Sequence, residues 1–124
     1  MNTDPFHDIP RADPLALARL NRWGGDKLVS EMRALFHREV PTRIRAARGA
    51  VREGSCDAAE RAAHSLKSSC AQLGALRMRA LAEEIEVLSS QRSLGPVTAL
   101  LDRLEDEFTA WLDSTASGDR EGEQ

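Results

Sequence analysis

Residues 57–74 read DAAERAAHSLKSSCAQLG, and the fold follows from how their apolar positions are spaced. At ~100° per residue, Ala59, Ala62, Leu66, Cys70 and Leu73 fall within a sector of roughly 80°. That is one face of a helix. Ser55 or Asp57 offers a side-chain oxygen to cap its free amides, and Gly74 suits the left-handed residue that ends it, so the spacing predicts a helix over about 57–73. His64 lies roughly 150–160° from the centre of the apolar sector, so its imidazole is expected to face solvent.

Downstream, Met78, Leu81, Ala82, Ile85 and Leu88 share one face of a further helix that stops near QRSLGP at 91–96. Val97, Leu100, Leu101, Leu104, Phe108, Trp111 and Leu112 define the last helix. Upstream, Asp13 before Pro14 is a helix start, giving a short helix over about 13–22. Gly24 and Gly25 break it, and Leu28, Val29, Met32, Leu35, Phe36 and Val40 restore the helical period over about 26–39. Pro41 either opens a new helix or bends the old one, and Ile44, Ala47, Ala50 and Val51 carry the stripe on to Gly54.

Six helical segments and no strand pattern make the chain all-α. Four segments are long enough for an antiparallel four-helix bundle, and the additional short N-terminal helix is expected to cover one end. The turn at Gly74 is so short that the helices on either side must form a hairpin. Residues 1–12 and the acidic stretch 114–124 lack a period and are expected to be disordered tails around a domain spanning 13–113.

The whole chain has 124 residues, enough for one packed core. Charged residues make up 30% and hydrophobic ones 41%, with a net charge of −3. No run of ~18 apolar residues is present, so no membrane span is expected. The start MNTDPFHDIPRADP lacks the basic flank and apolar run of an export signal, so a cytoplasmic location is expected. Mixed-sign charge without a basic field argues against nucleic acid. Cys56 and Cys70 would lie ~21 Å apart along one helix, too far to pair. They read as a helix-start thiol and a core thiol.

The surroundings of His64 set it apart from an ordinary exposed histidine. Ser68 and Ala71 continue its outward face with small side chains, so a partner has room to approach the ring. Arg61 and Lys67 lie three residues before and after it, within one turn. A phosphoryl group in mid-helix cannot use the amides and dipole of a helix N-terminus, so side-chain cations must offset its charge. The flexible ammonium of Lys67 suits that task. The plainer alternative for Lys67 is a surface pair with Glu60 or Glu83.

His64 stands ten residues before Gly74 and Glu86 twelve after it. These are roughly 15 and 18 Å from the turn, which brings both to about one level on neighbouring helices. A carboxylate that accepts a proton from one ring nitrogen orients the imidazole and frees the other as a nucleophile. The alternative for Glu86 is a rim carboxylate bonded to a nearby Lys or Arg.

The run AHSLKSSCAQLGA, Ala63 to Ala75, resembles the signature of the histidine phosphotransfer (HPt) family, roughly A-H-x-L-K-G-x-x-x-x-x-G-A. Met78, Leu81, Ile85 and Glu86 extend the match, as does FHREVP at 36–41, and the resemblance covers about 13–112. It implies a helical bundle that accepts a phosphoryl group on His64 from a receiver-domain aspartate and passes it to a response regulator. Lys67 then offsets phosphate charge and Glu86 orients the imidazole. Arg61, Ser68 and Ala71 would meet the partner. Ser68 stands where the family most often has Gly, which implies reduced clearance or a shifted partner preference.

The same resemblance implies no cofactor in this chain, with any Mg2+ held by the receiver, and no autokinase activity. Partners would be receiver domains and a hybrid sensor kinase, with this chain a monomer. An HPt-like adaptor that binds a receiver without transferring phosphate is the competing reading. A metal site built from His7, His37, His64, Cys56 and Cys70 is disfavoured, because the helical ligand pairs at i, i+3 or i, i+4 are missing.

Overall fold

The computed structural model describes residues 4–122, with side chains described through residue 116. Four helices follow one another: α1 Pro14–Glu53, α2 Cys56–Leu73, α3 Leu76–Ser90 and α4 Val97–Gly122. No strand occurs among the described residues. Each helix packs against its neighbour in sequence, and α4 closes the bundle against α1.

Three expected segments merge in α1. Asp13 caps it, its carboxylate accepting from the Leu15 amide at 3.0 Å, and Pro14 takes the first turn where no amide is needed. The break expected at the double glycine is a bend, with Gly25 alone leaving helical geometry at φ 71° and ψ −167°. Pro41 does not start a separate helix. Val40, Ile44 and Ala47 are buried on either side of it, and their shared face holds the helix through the missing amide.

Helix α2 starts at Ser55, whose hydroxyl accepts from the Ala58 amide at 3.2 Å, and ends at left-handed Gly74. The expected core face is in place, with Ala59, Ala62, Leu66, Cys70 and Leu73 all buried. The core continues through Met78, Leu81 and Ile85 of α3 and Leu101, Leu104 and Trp111 of α4. Phe36 locks α1 to α4, meeting Phe108 edge-on at 5.6 Å and Trp111 at 5.0 Å.

The start of α1 covers the α2–α3 turn. Asp13 donates its amide to the Gly74 carbonyl at 2.8 Å, and the Leu76 amide donates to the Arg11 carbonyl at 3.1 Å. Residues 4–12, read from sequence as a tail, lie along α3 and α4: Arg77 donates to the Ile9 and His7 carbonyls, and Arg103 pairs with Asp4. At the other end α4 runs on through residue 122, beyond the domain limit expected at 113. Within this stretch the hydroxyls of Ser114 and Thr115 bond back to the Trp111 carbonyl, so both are satisfied inside the helix.

Candidate functional site

The hairpin of α2 and α3 carries the site. His64 projects from the outward face of α2 with its side chain 64% exposed, opposite buried Leu66 and Ala62. Glu86 reaches it from α3, where the neighbouring Ile85 is in the core and Val87 faces solvent. The Nδ1 atom of His64 lies 2.6 Å from Glu86 Oε2. Lys67, one turn on from His64, donates from Nζ to the other oxygen, Oε1, at 2.5 Å.

One carboxylate thus serves two partners. Burial of Glu86 pushes its carboxyl up, but hydrogen bonds from Lys67 and His64, together with the charge of Lys67, outweigh that and hold the group below its ordinary value. An ionised carboxylate only accepts, so the short contact places the proton on Nδ1. The Nε2 lone pair then points to solvent, away from Glu86. In that tautomer the solvent side of the ring is open to approach.

The structure brings His64, Lys67 and Glu86 into a single cluster. Arg61, Ser68 and Ala71 are exposed on the same side of α2 and leave the approach to the ring clear. Ser65 and Glu60 join Arg61, His64 and Glu86 around a shallow hollow beside the imidazole. The sequence reading brings in Glu60 only as a partner for Lys67 and does not place it or Ser65 at the site, although Glu60 stands four residues before His64 and so one turn away. The bond from Lys67 realises the alternative reading of Glu86, a carboxylate bonded to a nearby Lys or Arg, alongside its contact with His64, whereas the pairing of Lys67 with Glu60 or Glu83 is not the one found.

The other candidate groups stay apart. His7 and His37 are exposed on different elements, and among the described residues no three His, Cys, Asp or Glu side chains gather as a metal site. Cys70 is a core thiol pushed up to about 12 by burial, and Cys56 is a free thiol at the start of α2. Among the described residues no helix is long and apolar enough to cross a membrane.

Comparison with known proteins finds a family and a fold. The model of the Hpt domain family matches residues 31–114. The fold is similar to the crystal structure of histidine-containing phosphotransfer protein B (HptB) from Pseudomonas aeruginosa PAO1, with a TM-score of 0.83 and 23% identity. That likeness covers 90% of this chain and 96% of the other. No curated protein sequence matches.

Proposed function

The chain belongs to the Hpt domain family of phosphorelay intermediates, and from that premise we propose that His64 carries the phosphoryl group between receiver domains. The Nε2 lone pair attacks the phosphorus of a receiver's aspartyl phosphate. A P–N bond forms as the acyl P–O bond breaks, and the electron pair leaves with the receiver's carboxylate. No proton has to move. The ring, still protonated on Nδ1, becomes cationic once Nε2 is phosphorylated, and the Glu86 carboxylate offsets that charge.

Onward transfer reverses these steps. An aspartate of a second receiver attacks the phosphorus, and the P–N electron pair returns to Nε2. Because Nδ1 keeps its proton, the leaving group is neutral imidazole, far better than an imidazolate. Lys67 follows the phosphoryl oxygens as they arrive, exchanging part of its pairing with Glu86 for them. Arg61, Ser68 and Ala71 form the floor on which the receiver lands. Any magnesium ion and the in-line alignment belong to the receiver, where the charge of the transferring group is neutralised.

The observation that carries this reading is the 2.6 Å contact from Nδ1 to Glu86, which supports Nε2 as the attacking nitrogen. Incubating the protein with a phosphorylated receiver domain tests it. Label should appear as an acid-labile, alkali-stable adduct and vanish in His64→Ala. Retention of label by that variant would mean that another residue is the acceptor.

A further inference from the structure

Trp23 is 88% exposed, the most exposed large apolar side chain among the described residues. Leu35 and Val87, at 38% and 40%, are ordinary surface residues by comparison. Several features hold the backbone that carries Trp23 in place. The arm from Pro14 to Gly24 is fixed at its start, where Ala16 is buried and packs against Gly74 so closely that a Cβ there would meet Ala16 Cβ at 2.5 Å. At its end the chain bends at Gly25, and Asn21 donates across the bend to Asp26 at 2.6 Å. Gly24 lets the arm close on Leu28, since a Cβ there would come within 2.7 Å of Leu28 Cβ.

The bend sets Trp23 above a cleft of about 350 Å³ whose lining includes Ala16, Leu28 and Gln72. Gln72 connects this cleft to the site. His64, Ser68 and Gln72 follow one another at four-residue spacing, so they form one ridge on α2. From His64 to Gln72 is ~12 Å along the helix. A specific interface covers roughly 800 Å² per partner, a disc of roughly 16 Å radius, so one centred on His64 takes in the edge of this cleft. Arg19 and Arg22 flank the indole and Arg61 stands one turn before His64. Of these, Arg61 stands where a receiver's phosphorylated aspartate would approach His64, and its charge suits that partner.

We propose that Trp23 is the apolar anchor by which this protein holds a receiver domain while His64 exchanges phosphate with it. The inference rests on the reading of His64 as the phosphoryl carrier and adds a second point of attachment to it. A tryptophan that becomes buried at an interface rimmed by arginines is the usual composition of a binding hot spot.

The test uses the full chain and a purified receiver domain phosphorylated on its aspartate. In Trp23→Ala the apparent KM for that receiver should rise at least tenfold, while kcat falls far less. Trp23→Phe should recover part of the loss, and circular dichroism should match wild type for both, as the side chain is outside the core. Trp111 is fully buried, so docking should blue-shift the emission of wild type and leave that of Trp23→Phe unmoved. An unchanged KM in Trp23→Ala beside normal labelling of the wild type overturns the anchor alone. So does a blue shift driven by protein concentration without receiver, which would make a second copy of the chain the occupant. A wild type that takes no label overturns the phosphoryl-carrier reading, and the anchor with it.

Discussion

Glu86 Oε2 lies 2.6 Å from His64 Nδ1 across the α2–α3 hairpin while Lys67 holds the other oxygen, and the two contacts keep the carboxyl below its ordinary value. Replacing Glu86 by Ala removes the acceptor that selects the Nδ1–H tautomer. A hydrogen bond to a charged group contributes about 1.5–3 kcal/mol, so transfer should slow by about 10- to 100-fold. Nitrogen-15 NMR of the imidazole should report the proton on Nδ1 in the wild type and a shift of population towards Nε2–H in Glu86→Ala. Unchanged tautomer populations would mean that Glu86 does not orient the ring.

Lys67 packs beside the site, outside the core, with a quarter of its side chain exposed. Lys67→Ala should therefore fold normally and transfer phosphate about 10-fold more slowly, having lost one charge-assisted contact to the phosphoryl oxygens. The same change removes one of the two hydrogen bonds that hold Glu86 below its ordinary value. Its carboxyl should then titrate higher, visible in the carbon-13 shift of the carboxylate. Loss of helical signal by circular dichroism would contradict this placement of Lys67.

The periodicity of α2 was legible because its apolar face is narrow and its caps are strong, and the hairpin count put Glu86 at the level of His64 from chain length alone. The extent of α1 was less legible. Gly25 and Pro41 are both local breakers, yet only Gly25 leaves helical geometry, and what decides between them is packing. Pro41 sits among buried Val40, Ile44 and Ala47, whereas Gly25 is flanked by exposed Gly24 and Asp26. Which cation Glu86 would meet was open for a related reason, since the Lys67–Glu86 bond depends on the rotation of α3 against α2, which spacing along one helix does not specify. Residues 4–12 have no period because their contacts go to Arg77 and Arg103, far along the chain.

The two left-handed caps, Gly54 and Gly74, have nearly the same φ but different surroundings. A Cβ at Gly54 would meet nothing within 4 Å, so Gly54→Ala should cost about 1 kcal/mol for the left-handed backbone alone. At Gly74 the added carbon would meet Ala16 Cβ at 2.5 Å and the Asp13 carbonyl at 2.9 Å. Overpacking adds about 1–3 kcal/mol, so Gly74→Ala should be the more damaging by that margin in urea denaturation. Equal losses would show that the start of α1 does not pack tightly on the α2–α3 turn.

Glu107 ties three parts of the chain together, accepting from Arg11 at 3.0 Å and from Arg77 at 3.1 Å. Burial pushes its carboxyl up, but the hydrogen bonds and charges of Arg11 and Arg77 prevail and hold it below the ordinary value of 4.5. A carboxyl depressed on folding adds stability in full above its unfolded value and loses it as pH falls through the folded one. Wild type should therefore exceed Glu107→Gln in Tm at neutral pH, and the gap should close as pH drops below 4.5. Arg11→Ala, which leaves Arg77 in place, should open a smaller gap of the same sign. A Tm difference between wild type and Glu107→Gln that stayed constant down to pH values well below the carboxylate range would mean that the ionised form of Glu107 contributes nothing to holding residues 4–12 against the bundle.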